Sequence, residues 1–238
     1  MDMFVTWLES NHIFNPPTLL HYWDGFVTTV QLVFLALVIG LVLALPLAIL
    51  RDSKNPLISK PIWLYVYVFR GTPLLIQLYI IYYGVTLIDG IQETIWWVLL
   101  EDPFIPALIA FVLNTTAYTT EIIRGAIAAT PKGEIEAAKA YGMSWWQSTR
   151  RIILPSAMRR ALPAYSNEVI FMLHASAIAS VVTIVDLTGA ARLVNSRYYA
   201  PFESFLTAGL FYMALTFMIL ACFKFAEKRF LAYLRPLS

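Results

Sequence analysis

An all-α, polytopic membrane fold follows from three features of this 238-residue chain. It is 59% hydrophobic and only 13% charged, with a mean hydropathy of +0.68, far from the balance of a soluble domain. Five apolar stretches are each long enough to cross a bilayer, because about 20 residues rising ~1.5 Å apiece cover a core of ~30 Å. The basic residues between those stretches fall on alternate loops. Together these features predict five transmembrane helices in one domain, residues 25–230, with a segment 1–24 before it and a tail, 231–238, after it.

The elements follow in order. Residues 1–24 hold no Lys or Arg and include Pro16-Pro17, so they lack the basic start of a cleavable signal peptide. They are expected outside the membrane with a short surface helix, leaving the first span, 26–50, to direct its own insertion. Residues 51–60 then carry Arg51, Lys54 and Lys60. The second span, 61–88, opens on Trp63, Tyr65 and Tyr67, side chains suited to the lipid–water interface. Arg70 sits ~13 Å into it. Either its guanidinium snorkels to the headgroups, or residues 61–70 lie along the interface and the crossing begins near Gly71. Residues 89–103 again lack Lys and Arg but hold Trp96 and Trp97.

Spans at 104–127, 160–184 and 204–225 complete the set. The region around the loop 130–155 offers Arg124, Lys132, Lys139, Arg150, Arg151, Arg159 and Arg160. The next loop has only Arg192 and Arg197, and the chain end has Lys224, Lys228, Arg229 and Arg235. The positive-inside rule therefore puts the N-terminus outside, with the loop 130–155 and the C-terminus in the cytoplasm, a parity that five spans satisfy. Sorted by side in this way, a net charge of +2 describes membrane topology and gives no case for nucleic acid as a partner. The single cysteine, Cys222, lies in an apolar run and excludes an internal disulfide or a dithiol metal site.

Two groups of residues carry chemistry. In the loop 130–155, Thr130-Pro131 suits a helix start, with threonine as cap and proline at the first helical position. Ala137, Ala138 and Ala140 leave room for another protein's backbone, and Glu136 supplies one directed charge. Gly142 ends that helix as a left-handed cap. Ser144 and Gln147 fit a capping box for a second short helix, which Pro155 is expected to halt after Ile152 and Leu154.

The other group lies inside the spans, where a charge at a helix centre costs at least ~2.5 kcal/mol and must face protein or water. Glu168 falls ~9 Å and His174 ~18 Å along the fourth span. Asn167, Phe171 and His174 share a face at 0, 4, 7 spacing, with Glu168 one residue round. A carboxylate facing a cavity suits a cationic side chain, although Glu168 could equally pair with Arg159 or Arg160 or act as a hydrogen-bonded acid. His174 could serve as an interhelical hydrogen-bond donor. In the third span Asn114, Tyr118 and Glu121 form one polar stripe. Asn114 and Tyr118 are candidates for lining a pathway, and Glu121 is a candidate ion-pair partner for Arg124. Gly71-Thr72-Pro73 interrupts the second span and frees backbone groups for a substrate, unless it is a plain kink.

The run Glu136-Ala137-Ala138, three residues, Gly142, nine residues, Ile152, one residue, Leu154-Pro155 resembles the EAA loop of ABC importer permeases. The chain is similar, more narrowly, to the permeases for polar amino acids. That likeness rests on Phe69-Arg70-Gly71-Thr72-Pro73, Ala117-Tyr118-Thr119-Thr120-Glu121 and Arg124-Gly125-Ala126-Ile127, and it covers about residues 25 to 230. Leu162-Pro163-Ala164-Tyr165-Ser166-Asn167-Glu168-Val169 with Leu173-His174 resembles the branch that imports histidine, lysine, arginine and ornithine.

The resemblance implies a type I importer permease in a bacterial inner membrane. Glu136, Ala137, Ala138 and Gly142 would form its coupling helix, and Glu168, Asn167, His174, Asn114, Tyr118, Gly71 and Thr72 would be its substrate residues. It also implies partners: a homologous second permease, two cytoplasmic ATPase subunits that bind ATP and Mg, and a periplasmic amino-acid-binding protein. The chain itself has no Gly-x-x-x-x-Gly-Lys-Ser/Thr, His-Glu-x-x-His or Gly-x-Ser-x-Gly sequence, so it needs no cofactor of its own and is not expected to be an enzyme. Two rival readings are a permease of the same fold for a neutral or acidic amino acid such as glutamine, and a channel or secondary transporter using Glu168 and His174 as a proton relay.

Overall fold

The computed structural model describes residues 13–53 and 55–231. The expectations for residues 1–12 and for the tail beyond Leu231 lie outside these. The described residues are largely helical: α1 (Pro16–Arg51), α2 (Pro56–Gly71), α3 (Leu74–Thr86), the short α4 (Trp97–Leu100), α5 (Phe104–Ala128), α6 (Lys132–Ala140), α7 (Trp145–Ser148), α8 (Leu154–Ala175), α9 (Leu187–Tyr198) and α10 (Pro201–Phe230). They divide into two compact units. One gathers the residues up to Ala36 with Pro73–Val112 and Phe171–Phe217, and the other gathers Leu37–Thr72, Leu113–Ile170 and the residues from Met218 onward.

Local chemistry sets the helix starts. Asn15 accepts the Thr18 N–H at 3.0 Å ahead of Pro16, so the first helix begins within the segment expected outside and runs unbroken to Arg51. Asn55 accepts the Leu57 N–H, with Pro56 at the first helical position, an arrangement that satisfies one orphan donor and asks none of proline. At the other end of α2, Thr72 (φ −117°, ψ 144°) and Pro73 (φ −63°, ψ 135°) are extended. Proline forces this, because its ring disfavours helical geometry in the residue before it. α2 and α3 therefore form a pair bent by 104°. Gly71 itself stays helical, and a Cβ there would meet nothing, so the break belongs to Thr72-Pro73.

In the first unit, Tyr22 is fully buried with Ala190, Ala191, Val194 and Ala208, and its hydroxyl donates to the Ser204 carbonyl at 2.8 Å. α9 is tied down at its start. Asp186 caps it through the Gly189 N–H at 2.8 Å, and the Leu187 N–H donates to Thr29 Oγ1 at 3.1 Å. Gly25 makes this closeness possible, since a Cβ there would lie 2.7 Å from the Asp186 carbonyl oxygen.

The second unit packs small residues against each other, as membrane helices do where backbones approach closely. Ala44 and Ala48 of α1 meet Ile123 of α5, and Ala126 of α5 meets Ala157 and Ala161 of α8.

Among the described residues three stretches are long and apolar enough to cross a membrane alone, Pro16–Arg51, Trp145–Val182 and Pro201–Phe230, and the bent α2–α3 pair, counted as one broken span, makes a fourth. α5 spans 25 residues, or ~37 Å, but Asn114, Thr115, Thr116, Thr119 and Thr120 lower its apolarity. All five are buried in protein.

Candidate functional site

The loop between α5 and α8 is built as a handle. α6 ends in a Schellman arrangement in which the Gly142 N–H donates to the Lys139 carbonyl at 2.9 Å and the Met143 N–H to the Ala138 carbonyl at 3.1 Å. Gly142 takes the required left-handed φ of 70°. Ser144 and Gln147 form the expected capping box at the start of α7.

Three expectations need correcting. Thr130 does not cap α6; Pro131 occupies that position with no side-chain bond, and the Thr130 hydroxyl accepts from Arg160 instead. Pro155 does not halt the second helix, because α7 passes through a π-helical stretch, Thr149–Ile153, into α8. The wider turn accommodates a residue that can neither donate to a carbonyl four residues back nor fit its ring against it. Ala138 is fully buried, so only part of the alanine face is open. What α6 and α7 present outward is Glu136, Ala137 and Ala140, together with Tyr141 at 85%, Trp145 at 67% and Trp146 at 57% exposure. The sequence signal for the three aromatics was their place in an otherwise basic loop.

The polar stripe of α5 faces the end of α2. Pro73 has no N–H for the Phe69 carbonyl, and the extended linker carries the next donor away from Arg70. Asn114 Nδ2 donates to the Phe69 carbonyl at 3.4 Å and the Tyr118 hydroxyl to the Arg70 carbonyl at 3.4 Å. Two carbonyls freed by the break are thereby taken by protein, which narrows what Gly71-Thr72-Pro73 offers a ligand. The Thr72 hydroxyl likewise turns back to the Val68 carbonyl at 2.8 Å.

Beside this junction lies a cavity of about 370 Å³ lined by Arg51, Trp63, Val66, Tyr67, Arg70, Gly71, Tyr118 and Glu121. The Arg70 guanidinium stands over the Tyr118 ring, 5.1 Å from its centre, a cation–π contact. Glu121 pairs with Arg124 at 2.8 Å as expected and also with Arg51 at 3.5 Å. Arg70 was missing from the sequence reading as a site residue, because its span position gave two placements and neither pointed it into a cavity.

Glu168 is 5% exposed and accepts the Thr115 hydroxyl at 2.9 Å. Arg160, a partner considered for it, is committed elsewhere, to the Ala126 carbonyl, Thr130, Ser156 and Glu134. No ion pair to Glu168 forms among the described residues. Asn167, Phe171 and His174 lie on one exposed face of α8, as their spacing predicts. His174 Nε2 lies 3.1 Å from Thr216 Oγ1, whose single proton goes to the Tyr212 carbonyl, so the imidazole is the donor. This is the interhelical donor role, and it leaves Glu168 and His174 with separate partners.

A buried carboxylate in no ion pair among the described residues, an arginine-lined cavity and an aromatic-bearing loop suit the passage of a zwitterion and the grip of another protein. The relatives agree. The chain is 47% identical over 217 residues to the histidine/lysine/arginine/ornithine transport system permease protein HisM of Escherichia coli (strain K12), covering 91% of each chain. It is 44% identical over 201 residues to the nopaline transport system permease protein NocM of Agrobacterium fabrum (strain C58), covering 84% of this chain and 83% of that one. The crystal structure of an amino acid ABC transporter with histidines matches with a TM-score of 0.77 and 34% identity, over 88% of this chain and 94% of that one. Residues 36–231 match the family described as binding-protein-dependent transport system inner membrane component, and the chain is a member of that family of ABC importer permeases.

Proposed function

We propose that this chain is the permease subunit of an ATP-driven importer for basic amino acids, in which Glu168 receives the cationic side chain. The observation that carries the reading is the Glu168 carboxylate, buried, bonded to Thr115 and in no ion pair among the described residues, in a chain 47% identical to a permease of a histidine, lysine, arginine and ornithine system. A site with an unpaired buried acid favours a cationic guest, because the guest supplies the missing counter-charge. Arg70, above Tyr118 in the same unit, suits the α-carboxylate of such a substrate. Asn167, Asn114, Tyr118, Gly71 and Thr72, all of the same unit, complete the surroundings.

The membrane arrangement is five spans, α5 supplying the fifth, with the N-terminus periplasmic and the C-terminus cytoplasmic. The polar face of α8 at Asn167 and His174 calls for protein beside it in the membrane. A homologous permease subunit fits that need. Two ATPase subunits hold the loop at Glu136 and Ala137, on a helix that buried Ala138 anchors and Gly142 ends, and bind the ATP and Mg. A periplasmic binding protein delivers the substrate, and transport follows from the ATPases favouring one of two states of the pathway.

Uptake assays on the assembled transporter with Glu168→Gln test this. The expected result is lysine and arginine uptake reduced by about tenfold or more, the scale of one lost charge-assisted contact, with receptor-stimulated ATP hydrolysis retained. Unchanged lysine and arginine uptake, or a wild type that prefers glutamine, would reject the basic-amino-acid assignment. Uptake driven by a proton gradient without ATPase subunits would reject the importer itself.

A further inference from the structure

Arg160 gathers contacts from more separate pieces of chain than any other side chain described above. Its Nη2 donates to Thr130 Oγ1 at 2.7 Å and to the Ala126 carbonyl at 3.3 Å, and its Nε reaches the same carbonyl at 3.4 Å. Nη1 donates to Ser156 Oγ at 2.7 Å, one turn earlier on α8, and lies 4.0 Å from Glu134 Oε1 on α6. All five groups belong to one compact unit. The Ala126 carbonyl is among the last four of α5, which have no helical donor of their own, so a cation there answers both the orphan acceptor and the negative end of the helix.

We infer that Arg160 is a positioning residue for transport: it pins the start of the α6 handle to the end of α5 and to α8, so that these three elements move as one body when the handle is displaced. The inference rests on the reading of α6 as the segment held by the ATPases. Its physical content is geometric. Between α5 and α6 the chain has only Ala129–Pro131, and beyond α6 only Tyr141–Ser144, two short linkers whose dihedrals can absorb a rotation of α6. A five-donor planar fork hydrogen-bonded at Ala126, Thr130 and Ser156, with Glu134 of α6 held electrostatically at 4.0 Å, restricts that freedom as a flexible ammonium cannot. The two helices so joined are those that meet at the buried acid. Thr115 lies 11 residues, ~16 Å, along α5 from Ala126, and Glu168 lies 8 residues, ~12 Å, along α8 from Arg160. Displacement at the handle thus reaches the Thr115–Glu168 hydrogen bond through two rigid helices. The outward groups, Glu136, Ala137, Tyr141 and Trp145, are exposed and make none of the Arg160 bonds. Docking and transmission are therefore separable.

The test uses the complete transporter with its receptor in proteoliposomes, measuring ATP hydrolysed per lysine or arginine taken up. With Arg160→Gln, the expected result is receptor-stimulated hydrolysis within about twofold of wild type and uptake down about tenfold, so the ratio rises about tenfold, as loss of a charge-assisted hydrogen bond implies. Arg160→Lys should fall between, since an ammonium keeps the attraction to Glu134 but cannot span Ala126 and Thr130. Thr130→Val removes one contact while preserving shape, and should raise the ratio about threefold; it decides the matter if the Arg160 variants do not assemble. A ratio unchanged from wild type in Thr130→Val and in every Arg160 variant that assembles, with uptake and hydrolysis falling together, would make Arg160 merely structural and overturn the inference. A wild-type complex showing no ATP-dependent uptake would instead sink the importer reading, which keeps the two failures distinct.

Discussion

A carboxylate shut away from water gathers donors, and Asp186 does so at the start of α9. It is fully buried, takes the Gly189 N–H at 2.8 Å on Oδ1 and the Tyr212 hydroxyl at 3.1 Å on Oδ2, and lies in the connection between the α8 region and α9. Burial outweighs those donors and pushes its carboxyl up to about 6, against ~3.9 in an unfolded chain. The folded protein therefore holds a proton that the unfolded chain has released between those values. Stability falls as pH rises from about 4 through about 6, and is flat above. Thermal unfolding in detergent between pH 4 and pH 7 should show this slope in wild type. Asp186→Asn should make the slope shallower, because an amide keeps an oxygen for the Gly189 N–H and does not titrate. A wild-type midpoint independent of pH would show that the donors, and not the burial, prevail.

At the scale of the element, α1 and α5 touch where Gly40 meets Thr115. A Cβ on Gly40 would run into the Thr115 methyl, and Thr115 cannot yield by turning about its β-branched χ1 without withdrawing its hydroxyl from Glu168. Gly40→Ala should therefore reduce lysine and arginine uptake several-fold while the protein still folds, as alanine itself favours the helix by ~1 kcal/mol. Uptake and melting temperature on the same preparation separate the two effects. A variant with wild-type uptake would mean that α1 has room to shift.

Gly40 also marks where sequence reasoning stops. The position of α6, the Gly142 turn, the Ser144–Gln147 box and the Glu121–Arg124 pair are local, fixed by residues within four or five positions, and all were legible. The helices at the apolar stretches were legible for the same reason, since apolar length is a local property. The Glu168–Thr115, Arg160–Ala126 and Arg160–Thr130 contacts join residues 30 to 53 positions apart, and helical periodicity gives a face without naming what the face meets. That is why Thr130 reads as a cap and proves to be an Arg160 acceptor. The π-helical stretch before Pro155 escaped for a different reason: proline predicts a disturbance without saying whether the helix breaks or, as through Thr149–Ile153, widens.

For the whole molecule the decisive asymmetry is charge by side. The α6–α7 region with its flanks carries seven of the 17 basic residues, whereas residues 89–103 carry none, and basic loops stay on the cytoplasmic side. That sidedness makes Tyr141 the most direct probe, since it is 85% exposed and the chain has a single native cysteine to remove, Cys222. A Tyr141→Cys, Cys222→Ser protein should react with a membrane-impermeant maleimide in inside-out vesicles and stay unlabelled in right-side-out ones. Occupancy by ATPase subunits adds a second expectation. Exposed aromatics of this size mark interaction surfaces, so labelling should fall when the ATPases are bound and recover when they are stripped. Reaction from the outer face would reverse the topology and with it every role assigned to α6. Reaction from the inner face, indifferent to the ATPases, would keep the topology and move the grip away from Tyr141, to the other outward groups of the handle, Glu136, Ala137, Ala140, Trp145 and Trp146.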